Sequence, residues 1–278
     1  MGIVQNITDA LEPAEEKFDL TELVSTKEQP APPSRWFLRL AYRGAPFHGW
    51  QRQPNAPSVQ QTIEEALSKI LRREIKITGA GRTDTGVNAA EMFAHFDYPG
   101  QLPAKDKFLR SLNLMVGRDI AIYDLIPVAP DAHARFDAVA RTYKYFVNTT
   151  KNPFNYPLSW LASGPLDIEA MNEAAEILRE TDDFTSFAKL HTDNKTNICR
   201  VTHARWEQEG EQLVFTITAD RFLRNMVRAV VGTLVDVGRG KLTLGQFREI
   251  IARKDRCAAS TSMPGEALFL WRVEYPYI

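Results

Sequence analysis

The chain has 278 residues, beyond the size at which one hydrophobic core usually stops growing, so two packed subdomains are the first expectation. Hydrophobic residues make up 44% and charged residues 25%, a balance that excludes fibrous and disordered classes. A formal net charge of −1 excludes a global basic field, so any site for a polyanion must be local. Asp9, Glu12, Glu15, Glu16, Asp19, Glu22 and Glu28 concentrate before Arg35, which leaves a modestly basic body. Cys199 and Cys257 lie far apart with no C-x-x-C or histidine spacing, so neither a disulfide framework nor a zinc site is indicated, and a reducing, cytoplasmic compartment fits. No apolar run approaches the roughly 18 residues that span a bilayer, and the acidic start is unlike a signal peptide, so a soluble, unprocessed protein is expected.

In chain order, residues 1–34 read as a flexible acidic extension ending in the proline-rich stretch Gln29-Pro30-Ala31-Pro32-Pro33-Ser34, with room for a short helix at 7–11 or 19–24. Trp36, Leu38, Leu40 and Tyr42 alternate with Arg39, Ala41 and Arg43 as a half-buried strand does. Ser58 and Gln61 form a capping-box pattern, after which Val59, Ile63, Ala66, Leu67, Ile70 and Leu71 recur at helical spacing. Ile75 and Ile77 suggest a short strand, followed by a strand at 92–98, helical turns at 108–115 and a strand at 120–128. After the arginine-rich turn at 133–137 come a strand at 138–149, a helix at 167–179 and strands at 201–207 and 213–219. A helix at 221–237 stopped by Gly238, a shorter helix near 244–252 and a last strand at 268–274 complete the pattern.

Two successive β-α-β-β-α-β runs predict an α+β protein of two ferredoxin-like halves, residues 35–132 and 133–278. Their sheets are expected to join edge to edge into one mixed, largely antiparallel sheet, with helices on one face and a binding cleft between the halves.

The segment most suggestive of chemistry is Gly79-Ala80-Gly81-Arg82-Thr83-Asp84-Thr85-Gly86-Val87, three glycines around an Arg-x-Asp pair after a short strand. Glycine lets backbone approach a ligand and adopt positive φ, although a tight connection with a surface ion pair has the same composition. A dinucleotide fingerprint is excluded because a strand, not a helix, is predicted to follow.

This loop resembles the signature of the TruA family of tRNA pseudouridine synthases. Gly49-Trp50-Gln51-Arg52-Gln53-Pro54, His133-Ala134-Arg135-Phe136, Ala140-Arg141-Thr142-Tyr143-Lys144-Tyr145, Asp183-Phe184-Thr185-Ser186-Phe187 and Phe222-Leu223-Arg224-Asn225-Met226-Val227-Arg228 resemble further family stretches, in order, from about residue 36 to 274. The resemblance implies isomerisation of uridine to pseudouridine near positions 38–40 of the anticodon stem-loop, with neither metal nor organic cofactor, by a homodimer. It assigns Asp84 the catalytic carboxylate, Arg228 its basic partner and Arg82 the residue that helps hold the target nucleotide out of the stack. A carboxylate near the sugar suits a reaction that breaks a C1′–N1 bond and forms a C1′–C5 bond, and an adjacent guanidinium favours its ionised form. Tyr143 corresponds to the family's active-site tyrosine; Arg141, Tyr143 and Tyr145 share one strand face, and an aromatic ring suits stacking on an extruded base.

Gln51, Gln53, Arg135, Arg141 and Arg224 are the further candidates for contacting RNA, within basic clusters spread over both halves that include Arg39, Arg43, Arg72, Arg73, Arg110, Arg221, Arg239 and Lys241. Where the family usually has histidine, this chain has Asn88, which leaves a neutral hydrogen-bonding group where a charged RNA contact is expected. His48, His95, His133, His191 and His203 show no metal spacing. The rival readings are a pseudouridine synthase for another RNA and a non-catalytic RNA-binding or tRNA-chaperone protein. For the acidic extension, one reading is a tail that competes with RNA for the basic cleft.

Overall fold

In the computed structural model of the protein, residues 34–189 and 196–278 are described. The room for a short helix at 7–11 or 19–24, the tail that would compete with RNA, and His191 lie outside them. The elements are β1 (Ser34–Tyr42), α1 (Val59–Leu71), β2 (Thr78–Gly79), β3 (Asn88–Tyr98), α2 (Lys105–Met115), β4 (Ile120–Val128), β5 (Ala140–Asn148) and β6 (Trp160–Leu161). They continue with α3 (Ile168–Arg179), β7 (Val201–Glu209), β8 (Gln212–Ala219), α4 (Met226–Gly238), α5 (Leu244–Arg253) and β9 (Leu268–Glu274).

The strands form one sheet in the order β4-β1-β3-β9-β5-β8-β7, with β2 beside β3 and β6 beside β5. It is mixed and largely antiparallel, as expected: β3–β9 and β5–β6 are parallel, whereas β5 pairs antiparallel with both β8 and β9. The last strand of the chain is therefore the seam, lying between β3 and β5. β1 occupies one edge of β3, so β2 and β9 share the other: β2 pairs at Ala94 and His95, and β9 at Asn88 and Ala89. The connection between β2 and β3 is residues 80–87, which places the Arg-x-Asp loop beside that seam.

Two hydrophobic clusters flank the seam. One joins α1 and α2 to β1, β3 and β4 through Ile63, Leu67, Phe108, Leu112, Leu40 and Ile122. The other joins α3, α4 and α5 to β5, β7 and β8 through Met171, Leu178, Val230, Phe247, Tyr145 and Trp206. Each fully buried large side chain contributes about 1.5–3 kcal/mol. Tyr143 packs partly buried against both clusters.

Besides shifted starts for β3 and α2 and the added β6, three local departures from expectation have a visible cause. Ile75 and Ile77 are buried but outside any strand, because the ladder begins at Thr78. Ser58 caps α1 by accepting from the Gln61 N–H, but the Gln61 amide donates to Glu65, so only half of the capping box forms; a complete one closes Thr243 and Gln246 at α5. The fourth helix begins at Met226, not residue 221, because Asn225 sits at φ 65°, a left-handed conformation that ends the preceding turn.

Candidate active site

The loop at residues 80–87 is held by two main-chain hydrogen bonds and one between side chains. The Trp50 N–H donates to the Thr83 carbonyl at 3.2 Å, the Ala80 N–H to the Phe93 carbonyl at 2.8 Å, and the Tyr42 and Thr83 hydroxyls bond at 2.8 Å. Gly49, at φ 92°, lies so close that a Cβ there would stand 2.5 Å from the Thr83 oxygen. On the far side a Cβ on Gly265 would stand 2.6 Å from the Thr85 oxygen, so the segment before β9 presses on the same loop. This support is tight and largely main chain, the arrangement that fixes a reacting group.

Asp84 is 24% exposed at the centre of the loop. The Arg228 Nη1 lies 3.6 Å from one carboxylate oxygen and the Arg224 Nε 3.7 Å from the other. These are ion pairs looser than hydrogen bonds, which leaves the carboxylate room to engage a ligand. Arg228 stands in the first turn of α4 and is anchored by its Nε donating to the Met263 carbonyl at 2.6 Å, while the Met263 N–H donates back to the Arg228 carbonyl at 3.1 Å. Arg224 precedes the helix, is 60% exposed and has the freer side chain of the two. Sequence reading placed Arg224 only among RNA-contacting residues; the left-handed Asn225, invisible in the pattern, turns it toward Asp84.

Tyr143 lies beside these charges. Burial and the Asp84 carboxylate push its phenol up from the ordinary value, with the Arg141 guanidinium opposing, so the hydroxyl keeps its proton at neutral pH. Its ring meets Phe222 edge to face at 5.1 Å. Arg82 is exposed and forms no ion pair among the described residues, so its guanidinium is open to a ligand. Arg135 is likewise exposed, with its guanidinium 5.8 Å from the Phe136 ring, and Phe136 is 75% exposed. Gln51 is exposed, and Gln53 donates to the His48 carbonyl at 2.7 Å, bracing the strip that runs into Gly49 and Trp50.

Two expectations change. Asn88 is 1% exposed and makes no outward contact: its Oδ1 accepts from the Gly44 N–H at 2.8 Å and its Nδ2 donates to the Glu266 carbonyl at 2.7 Å. It ties the end of the loop to the segment before β9 instead of facing RNA, because a neutral amide buried there has both its donor and acceptor satisfied. Arg141 does share a face with Tyr143, but its guanidinium is turned inward onto backbone carbonyls. Of the wider basic set, Arg43 is paired with Asp119, Lys241 with Asp236 and Arg39 with Glu91.

Asp84 lines neither of two concavities on the described residues. One of about 420 Å³ is lined by Trp36, Leu102, Pro103, Leu125 and Pro127, and one of about 240 Å³ by Tyr42, Arg43, Asn88, Leu158 and Phe269. A part-exposed, arginine-rimmed carboxylate that lines neither of them suits a macromolecular ligand better than a small buried one. Among the described residues no group of three His, Cys, Asp or Glu side chains is arranged to hold a metal ion, and no helix is long and apolar enough to cross a membrane.

A family model described as tRNA pseudouridine synthase matches residues 174–276. The tRNA pseudouridine synthase A of Parabacteroides distasonis is 57% identical over 242 residues, covering 87% of this chain and 96% of that protein. That of Bacteroides thetaiotaomicron is 58% identical over 248 residues, covering 87% and 91%. The more distant one of Bacillus subtilis is 37% identical over 240 residues, covering 85% and 97%. Identity of this level along nearly the whole length of these relatives, with the Arg-x-Asp loop, Tyr143 and the Arg224–Arg228 turn gathered at one point, shows that the chain belongs to the tRNA pseudouridine synthase A family.

Proposed function

We infer that this chain isomerises uridine to pseudouridine in tRNA, at uridines near positions 38–40 of the anticodon arm, with Asp84 as the reacting carboxylate. The observation that carries the reading is Asp84 itself: a loop carboxylate fixed by main-chain contacts, flanked by guanidinium groups at 3.6 and 3.7 Å and adjoined by a protonated tyrosine. The reaction detaches N1 of uracil from C1′, turns the base and joins C5 to C1′, the proton lost from C5 being matched by one gained at N1, so it is an isomerisation that needs no redox partner. Asp84 reacts with the nucleotide, Arg228 orients it, and Arg224 holds a phosphate or the carboxylate as the substrate enters. Tyr143 stacks on the extruded base, and Arg82 occupies the space from which that base left. Residues 35–132 thus supply Asp84 and Arg82, and residues 133–278 supply Tyr143, Arg224 and Arg228.

Arg135, Gln51 and Gln53 contact RNA around this centre. The protein acts in the cytoplasm, where the free thiols of Cys199 and Cys257 stay reduced. It acts as a homodimer. The sheet face opposite Tyr143 and Tyr145 carries Phe146, Phe269 and Trp271 in ring contact at 5.2–6.5 Å, with Trp271 40% exposed and Leu158 37% exposed nearby, an apolar area that a second copy would cover.

The test is pseudouridine formation in unmodified tRNA transcripts carrying uridines at 38–40, read by mass spectrometry after carbodiimide labelling. Product at those positions is the expected result. Tight binding without product would favour the tRNA-chaperone reading, and product only in ribosomal or small nuclear transcripts would move the substrate.

A further inference from the structure

Arg141 has an unusual set of partners for an arginine near a nucleic-acid site. Its Nη1 donates to the Ala138 carbonyl at 2.9 Å and the Asp220 carbonyl at 2.7 Å; its Nη2 donates to the Ala80 carbonyl at 3.1 Å and the Arg135 carbonyl at 2.6 Å. Four of its five N–H donors are thereby engaged, all by main chain. Among the described residues no carboxylate forms an ion pair with it: the Asp220 Oδ1 accepts from the Arg200 and Arg221 N–H groups, and its charge acts on Arg141 only as a minor, longer-range attraction. Burial accordingly lowers the guanidinium's affinity for its proton, opposed by the neighbouring Tyr275 and Tyr143.

Three of the four carbonyls belong to the segments that carry the site, and the fourth, Ala138, is local to Arg141. Ala80 opens the loop of Arg82 and Asp84, Arg135 belongs to the turn at 133–137, and Asp220 begins the stretch leading to Arg224 and Arg228. A planar fork with fixed donor directions can bind several carbonyls at once, which the compact ammonium of lysine cannot reproduce. We propose that Arg141 is a positioning residue that clasps the Asp84 loop to the 133–137 turn and the Asp220 segment, setting the distance from Asp84 to Arg224 and Arg228, rather than a phosphate contact.

The proposal rests on the pseudouridine-forming reading, and two readouts separate the two claims. Arg141→Lys keeps charge and stem but loses the fork; Arg141→Met loses both. Single-turnover pseudouridine formation should fall about ten- to hundredfold in the lysine variant, as expected for sub-ångström misplacement of a reacting group, and further in the methionine variant. The tRNA dissociation constant should stay within about threefold, and its log–log salt slope should not change, because a phosphate-contacting arginine would lower that slope by about one on removal. Amide hydrogen exchange at residues 80–87 should quicken in Arg141→Lys relative to β1 and β3.

A slope reduced by one with a normal single-turnover rate overturns the proposal in favour of a phosphate contact. Failure of both variants to fold overturns it in favour of a general structural brace. If wild-type protein forms no pseudouridine, the reading of the reaction fails, and loop exchange still decides: faster exchange in Arg141→Lys sustains the clasp, and unchanged exchange removes it.

Discussion

Replacing Gly49 by alanine tests how far the rate depends on main-chain support of the Asp84 loop. The residue sits at φ 92°, and its new methyl would stand 2.5 Å from the Thr83 oxygen and 3.2 Å from the Asp84 carbonyl carbon. Positive φ costs an alanine about 1 kcal/mol. The contact is with backbone on both sides, so relief to an ordinary spacing of about 3.4 Å requires Thr83 to move by roughly 0.9 Å, for a total cost on the order of 2–3 kcal/mol. That displacement reaches Asp84, whose ion pairs stand at 3.6 and 3.7 Å, and a shift approaching 1 Å costs up to about a hundredfold in rate. Single-turnover kinetics at saturating enzyme should therefore show a ten- to hundredfold slower rate with tRNA affinity within a few fold. Gly117→Ala is the control: φ there is also positive, at 78°, but no atom lies within 4 Å of the added methyl. It should lose about 1 kcal/mol of stability and no rate. A normal rate in Gly49→Ala, or an equal slowing in Gly117→Ala, would refute the argument.

His95 makes stability depend on pH. It is 7% exposed, its Nδ1 accepts from the Ala134 N–H at 3.1 Å, and burial, aided by Arg35 and His133 and opposed by Asp97 and Asp137, lowers its pKa to about 4. The unfolded chain binds the proton near 6.5, so the contribution is present above that pH and lost as pH falls toward 4, about 3 kcal/mol in all and about 2 by pH 5. Urea unfolding at pH 7 and 5 should show wild type losing that much more than His95→Asn, which keeps an acceptor and does not titrate. For RNA affinity, Arg135→Gln should lower the salt slope of tRNA binding by about one, measured by filter binding between 50 and 200 mM salt.

Much of the fold is legible in sequence because its signals are local. The stripe from Val59 to Leu71 and the alternation from Leu268 to Glu274 correspond to α1 and β9, since burial of one face imposes those periods. What β9 pairs with is not local: its place between β3 and β5 follows from contacts with residues more than a hundred positions away. The site divides the same way. The Arg-x-Asp loop stands out by composition, and period-2 alternation puts Arg141 and Tyr143 on one face. That Arg141 is consumed by distant carbonyls, that Asn88 is buried between Gly44 and Glu266, and that Asn225 turns Arg224 onto Asp84 are outcomes of tertiary packing with no pattern to announce them. The glycines hint at it, since Gly49 and Gly265 are small where two backbones meet.

The central claim, that Asp84 carries the chemistry, is tested most directly by Asp84→Asn, which keeps the shape and removes the charge between Arg224 and Arg228. Single-turnover assays on unmodified tRNA with wild type and variant at matched occupancy should give pseudouridine from the wild type alone. The variant should bind tRNA equally or more tightly, because two arginines lose their internal partner. Pseudouridine from Asp84→Asn at a rate within tenfold of wild type would contradict the account.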